Sequence, residues 1–181
     1  GKSPSEISRK DEIFVSPSGL ISIAGGKLTG YRKMAERIVD LVSRMREADG
    51  LAALPPSPTR TLPISGGDVG GSAGFEAHAR RQIEAGVAAG LDADEAERIA
   101  RRYGSNALKL HKLAAESGAF AARHGLPLAL AAELRYAVLA EMAATPADFW
   151  IRRTGRLYFD RPGVLQWKDA VSAAMAELLG W

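Results

Sequence analysis

The sequence predicts a mainly α protein in which an all-α helical C-terminal domain follows a short β-α segment. Three observations carry this. Only "DEIFVSPSGLISIAG", residues 11–25, has short β-rich runs. From Thr29 the apolar period changes from two to about 3.6, and after about Gly74 almost the whole chain keeps the helical period. Between these parts, residues 51–73 are dense in Pro, Gly and Ser and read as a linker. The chain therefore divides into 1–50, 51–73 and 74–181.

The two runs, Ile13 to Val15 and Leu20 to Ala24, read as strands joined by a Ser-Pro-Ser-Gly turn. Two strands alone are marginal in water, so their partners are expected upstream and the chain reads as a piece of a longer protein. In the helix that follows, Tyr31, Met34, Ala35, Ile38, Leu41, Val42 and Met45 share one face, and Gly50 suits a left-handed cap. The spacing then predicts helices near Phe75 to Ala89, Ala93 to Tyr103, Ser105 to Glu116, Pro127 to Ala143, Pro146 to Arg153 and Gly163 to Leu179. Asp92 or Asp94, Ser105, and Thr145 with Pro146 and Asp148 supply cap chemistry, while Gly90, Gly104 and Gly125 mark stops. "LPLALAAELRYAVLAEMAA" is apolar almost all round, which predicts a central buried helix or a subunit interface. Glu133, Arg135 and Glu141 make it too polar for a membrane anchor.

With 46% hydrophobic and 25% charged residues in 181, the composition excludes a disordered or collagen-like chain. A net charge of +3 from 24 basic and 21 interspersed acidic residues gives no argument for a nucleic-acid partner. Having no cysteine, the chain offers no thiol nucleophile, thiolate metal site or disulfide. No apolar run is long enough to span a bilayer.

The stretch with the clearest chemistry is "ISIAGGKLTGYRKMAER", residues 21–37. A strand ending in Gly-Gly and opening into a helix presents peptide N–H groups at the positive end of the helix dipole. Such an end attracts anions or electron-rich oxygens. Lys27 adds a positive charge there, and Thr29 a hydroxyl able to cap the helix or bond a ligand. The same residues also suit a tight turn with a solvated lysine, and the junction alone does not choose between the two.

Other residues have mainly structural readings. His78, His111 and His124 lack metal-ligand spacing and are expected at surface or satisfied helix positions. Arg80-Arg81 and Arg101-Arg102 suit solvated faces paired with Glu84 and Glu97. In "DFWIRRTGRLYF", residues 148–159, the aromatics are expected in the core and the arginines on backbone carbonyls or against the preceding domain. Trp167 and Trp181 are expected to pack.

The run "SEISRKDEIFVSPSGLISIAGGKLTGYRKMAE" resembles the end of the FAD domain in the flavin-dependent glycerol-3-phosphate dehydrogenase family. "LPISGGD", "RYGSNA", "LRYAV" and "DFWIRRTGRLYF" continue the resemblance in order through that family's helical domain. It implies that residues 1–50 end an α/β FAD-binding domain and that the parent oxidises sn-glycerol 3-phosphate to dihydroxyacetone phosphate. FAD takes the hydride and a membrane quinone receives the electrons. Arg9 and Lys27 match the cationic positions beside the substrate phosphate, and Gly26, Leu28 and Thr29 those facing the flavin. No catalytic residue is assigned within these residues. "GGDVGGSAGFE", residues 66–76, lacks the G-x-G-x-x-G spacing of a dinucleotide site, so the fragment alone is expected to be inactive. Further implied partners are the N-terminal FAD domain of the same chain and, as an open point, a second copy in a homodimer. The implied location is cytoplasmic or peripheral on the inner face of the plasma membrane. The α-glycerophosphate oxidase branch, which uses oxygen, and a helical dimerisation or membrane-docking module stay open as alternatives.

Overall fold

The computed structural model describes residues 11–25 and 28–181, which form two compact units, one up to Pro63 and the other from Ile64 onward. It is mainly α, with one two-stranded sheet among the described residues.

In the first unit β1 (Glu12–Val15) and β2 (Ile21–Ala24) pair antiparallel, Glu12 opposite Ala24 and Val15 opposite Ile21. The Ser-Pro-Ser-Gly turn closes through Gly19 N to Ser16 O at 2.9 Å, and Leu20 N donates to Ser16 Oγ at 3.1 Å. A 3-10 turn, Leu28–Gly30, leads into α1 (Tyr31–Ala48). Helix α1 ends as its glycine predicts: Gly50 N donates to Glu47 O and Leu51 N to Arg46 O, the paired bonds that satisfy orphan carbonyls behind a left-handed residue. Met34, Ile38, Leu41, Val42 and Met45 are half-buried, as the periodicity predicts, but no residue of α1 is fully buried. Phe14, Val15, Leu20 and Tyr31 are each at least 50% exposed. Phe14 and Val15 belong to β1, and a two-stranded ribbon has no second layer of its own to cover them.

The stretch from Leu51 to Pro63 has no helix or strand, and beyond the Leu51 cap bond it is tied to α1 by Leu54 N to Ser43 Oγ at 3.3 Å and Arg32 Nη1 to Thr59 Oγ1 at 3.2 Å.

The second unit contains α2 (Gly71–Ala88), α3 (Ala93–Tyr103), α4 (Ala107–Glu116), α5 (Gly118–His124), α6 (Leu128–Glu141), a π-helix (Asp148–Arg153), α7 (Arg156–Phe159) and α8 (Arg161–Leu179). Its first residues are anchored, not free: Ser105 N donates to Gly66 O at 3.0 Å and Asn106 Nδ2 to Ser65 Oγ at 2.8 Å. Gly66 and Gly104 both have positive φ, and a Cβ on Gly104 would overlap the Gly66 carbonyl. The glycines of "GGD" and "YGS" thus let two backbones meet. This contact places Ser105 within a 3-10 turn, Gly104–Asn106, so it does not cap a helix, and α4 begins two residues later than the spacing predicts.

Helix α6 divides the core. One set of its residues, Ala129, Ala132 and Tyr136, packs with Leu91, Ile99 and Leu110 from the α3–α4 side. Another set, Leu130, Leu134 and Ala137, packs with Phe120, Phe149 and Met175 from α5, the π-helix and α8. The predicted central helix is therefore present, buried on both flanks. Helix α5 is not predicted by the periodicity, because it is a short Ala-rich helix of 7 residues whose Phe120 and Ala121 reach the second core.

Glu133 lies inside α6 and is fully buried. Arg98 of α3 donates to both its oxygens at 2.7 and 3.1 Å, Arg156 of α7 donates to Oε2 at 2.8 Å, and Tyr103 donates its hydroxyl to Oε1 at 3.2 Å. Burial works against the charge, but hydrogen bonds and charge from Arg98, and then from Arg156, outweigh it and hold the carboxyl below its usual range. The same burial, followed by the Glu133 charge, pushes the Tyr103 phenol well up.

The 148–159 segment only partly follows expectation. Phe149 and Trp150 are buried, whereas Tyr158 and Phe159 are 70% and 91% exposed, and Trp181 is exposed too. Helix α7 is too short to turn two adjacent aromatics into one core. Arg102 donates to the carbonyls of Arg153 and Thr154, and Arg152 pairs with Asp148 at 2.6 Å. The cap at Thr145 is reciprocal: Asp148 N donates to Thr145 Oγ1 at 3.2 Å, and Thr145 N donates to Asp148 Oδ2 at 2.9 Å.

All three tryptophans lie in the second unit, so their fluorescence reports its unfolding. Glu133→Gln leaves two guanidiniums without their carboxylate and is expected to destabilise this unit by about 3–5 kcal/mol at pH 7. Because the folded pKa of Glu133 is lowered, its contribution is complete above the unfolded value. The gap between wild type and variant therefore stays constant down to that value and closes as pH falls through the folded one. Asp148→Ala is expected to lower the urea midpoint less than Glu133→Gln does, with parent kinetics intact; a kinetic defect without destabilisation contradicts its capping role.

Candidate functional site

The β2–α1 junction is built around a close approach. A Cβ on Gly25 would lie 2.8 Å from Met34 Sδ and 2.9 Å from Asp11 Oδ1, so the glycine leaves room for the Met34 side chain of α1 to lie over the end of β2. An ion pair at 3.6 Å between Arg37 of α1 and Asp11, just before β1, ties the ribbon to the helix from its other strand. The strand exit is thereby fixed against the first turns of the helix.

Arg9, Gly26 and Lys27, expected at the site, lie outside the described residues. Leu28 and Thr29 are described; both are exposed, Leu28 by 90%, in the 3-10 turn that precedes α1. The helix thus winds up over one extra turn before Tyr31, where the spacing predicts an α-helix from Thr29. Gly30 holds the N-cap position with no side-chain cap bond, and the first turn contains no acidic residue. Arg32 and Lys33 follow, and both pair with Glu36, Lys33 at 2.5 Å. Hydrogen bonds from Lys33, then Arg32, hold the Glu36 carboxyl below its usual range. The helix start therefore offers peptide N–H groups that no side chain caps, at the positive end of an 18-residue helix, beside a net positive charge. Chemically this end can hold an anion or stabilise negative charge developing on a planar ligand.

Elsewhere, no group of His, Asp and Glu among the described residues is placed to hold a metal ion. His124 meets the expectation of a satisfied position, its Nε2 lying 2.7 Å from Glu177. His111 corrects it: the side chain is 3% exposed and neither ring nitrogen has a partner. Burial pushes its pKa down, so it sits neutral. His78 Nε2 and Gln82 Oε1, one turn apart on α2, are also buried without partners. Periodicity could not reveal these, since a lone histidine on a helix gives no sign of what packs above it. Arg101 pairs with Glu97 as expected and with Glu76 as well. The glycines of residues 66–76 serve the backbone contact with Gly104 and the start of α2.

Residues 57–181 match the sequence family described as the C-terminal domain of alpha-glycerophosphate oxidase. The whole chain aligns with the aerobic glycerol-3-phosphate dehydrogenase of Bacillus subtilis (strain 168) at 50% identity over 181 residues, 33% of that protein. It aligns with the same-named protein of Staphylococcus haemolyticus (strain JCSC1435) at 51%, over 32% of its length. The X-ray structure of the glycerol-3-phosphate dehydrogenase from Bacillus halodurans complexed with FAD superposes with a TM-score of 0.85 at 47% identity, covering 94% of this chain and 33% of that one. This chain thus spans about a third of the length of these relatives. On the match over residues 57–181, the chain belongs to the family of alpha-glycerophosphate oxidase C-terminal domains.

Proposed function

We propose that this chain is the C-terminal part of a flavoenzyme that oxidises sn-glycerol 3-phosphate to dihydroxyacetone phosphate. The observation that carries the proposal is the start of α1, which has no side-chain cap and no acidic residue in its first turn. It occurs in a chain about half identical to proteins named aerobic glycerol-3-phosphate dehydrogenase and similar to one solved with FAD.

The described residues fit such a cofactor. A flavin ring gains negative charge on reduction, and an uncapped helix start in a positive setting favours that charge without reorganising. FAD, when bound, supplies the hydride acceptor for the substrate C2 hydrogen. Gly26, Leu28 and Thr29 face it through their backbone, and the exposure of Leu28 and Thr29 leaves that edge accessible. Arg9 and Lys27 hold the substrate phosphate, Arg as a two-pronged donor and Lys as a point charge. The residue that takes the proton from the C2 hydroxyl is assigned to no position in this chain, so the 181 residues alone are inactive.

We assign the electrons to a quinone, two with two protons giving the quinol, because the full-length relatives are named dehydrogenases. The name of the matching domain family keeps oxygen as the second reading. No described helix is long and apolar enough to cross a membrane, which accords with peripheral attachment at the inner face of the plasma membrane. The helical unit braces the N-terminal FAD domain of the same chain or mediates homodimer assembly.

In the full-length parent, Lys27→Ala removes a charge-assisted phosphate contact of about 1.5–3 kcal/mol and is expected to raise KM about ten- to a hundredfold. Flavin content stays unchanged. A KM within twofold of wild type contradicts the phosphate role of Lys27.

A further inference from the structure

Helix α6 ends on a strained residue. Met142 follows it with a φ of 57°, the one positive φ among the described non-glycine residues, and Ala143 N closes the end by donating to Ala137 O at 2.9 Å. Glycine takes this conformation without strain, as Gly125 and Gly180 do behind α5 and α8. A methionine pays a steric cost there, yet its side chain is 87% exposed and finds no cover in the helical unit.

Its surroundings share this exposure. Tyr158 and Phe159 of α7 also point outward, their ring centroids 6.5 Å apart. Phe159 lines a cavity of about 520 Å³ together with Arg102, Thr154 and Asp160. Arg102 donates to the carbonyls of Arg153 and Thr154, which joins the end of α3 to the end of the π-helix. Glu141, next to Met142, lies in the field of both arginines: burial pushes its carboxyl up, and the charges of Arg153 and then Arg102 pull against that. The ends of α3, α6 and the π-helix and the exposed ring of Phe159 thus lie together. Among the described residues neither Arg102 nor Arg153, both exposed, has a carboxylate at ion-pair distance, although Arg98, Arg101, Arg152 and Arg156 all do. An exposed arginine alone is a solvated charge. Two beside three exposed apolar side chains, one of them held at a backbone cost, have the composition of interface anchors.

We propose that this face, Met142, Tyr158 and Phe159 with Arg102 and Arg153, docks against a carboxylate-bearing surface in the part of the full-length protein that precedes this chain. The inference rests on the reading of the chain as the C-terminal part of a longer protein, in keeping with its span of about a third of its relatives. The two arginines select carboxylates opposite them, and the three apolar side chains supply the area to bury. A contact within one polypeptide suits this face better than a second copy does. Inter-domain interfaces are smaller and more polar than those of obligate dimers, and three apolar side chains among charged groups are too few for the latter.

The test is photo-crosslinking of the full-length protein carrying p-benzoylphenylalanine in place of Phe159, with the linked peptides identified by mass spectrometry. A link within one polypeptide, to a peptide that precedes the residues of this chain, is expected. Its yield is expected to fall at least fivefold when Met142→Glu and Arg153→Glu are added, and since both positions are exposed, far-UV circular dichroism should be unchanged. A product of doubled mass overturns the proposal, because it assigns the face to a second copy. No link, links confined to this chain, or a yield that survives the double variant overturn it as well. The anaerobic flavin spectrum reads the enzymatic assignment separately: a band bleached by glycerol 3-phosphate in a protein that gives no such link refutes the docking face alone.

Discussion

The buried carboxylate of Glu133 is the constraint on which the helical unit depends. A charge inside a protein is tolerated only where its partners are already in place, and here those partners come from two other segments. Arg98 comes from α3, in the first core, and Arg156 from α7, beside the second. Both guanidiniums reach Glu133 only when α3, α6 and α7 are in register. The hydrophobic cores supply the bulk of the stabilising energy without direction, and this ion cluster supplies the direction. Asp160 extends it, accepting from Arg156 at 3.2 Å and from Gly163 N at 3.1 Å at the head of α8.

How much of this was legible in the sequence depended on range. Signals that act within a few residues worked: Asp92 accepts from Glu95 N, Thr145 and Asp148 cap each other, and Gly90, Gly104 and Gly125 end helices with positive φ. Signals that act at a distance did not. Glu133 reads only as a charge that interrupts an apolar helix, because Arg98 and Arg156 stand far from it in sequence. Ser105 looks like a cap, but it sits in a 3-10 turn held to Gly66, from what reads as linker, and α4 starts only at Ala107. Gly155, with positive φ, breaks the chain between the π-helix at Asp148–Arg153 and α7, so the spacing that sends Phe149 and Trp150 inward does not carry on to Tyr158 and Phe159, which stay outside.

The candidate site divides in the same way. The Gly-Gly-Lys junction is a local pattern, and its chemistry of peptide N–H groups and positive charge is readable from the residues alone. What packs beside Gly25 is not, since the Met34 and Asp11 side chains reach it from outside β2. The exposed apolar residues of the β1–β2 ribbon and the bare start of α1 are two aspects of one arrangement. This unit leaves apolar ribbon residues and uncapped peptide N–H groups facing outward. Proteins three times as long, sharing about half of these residues, are the natural setting for both.

The central claim is that these residues serve a flavoenzyme acting on glycerol 3-phosphate. It is tested most directly by the visible spectrum of the full-length parent under anaerobic conditions, recorded before and after adding that substrate. The account predicts a bound-flavin absorption band that bleaches on addition, establishing substrate and hydride acceptor together. A bound flavin whose band is unchanged by glycerol 3-phosphate would contradict it, and with it the assignment of Arg9 and Lys27 to the substrate phosphate.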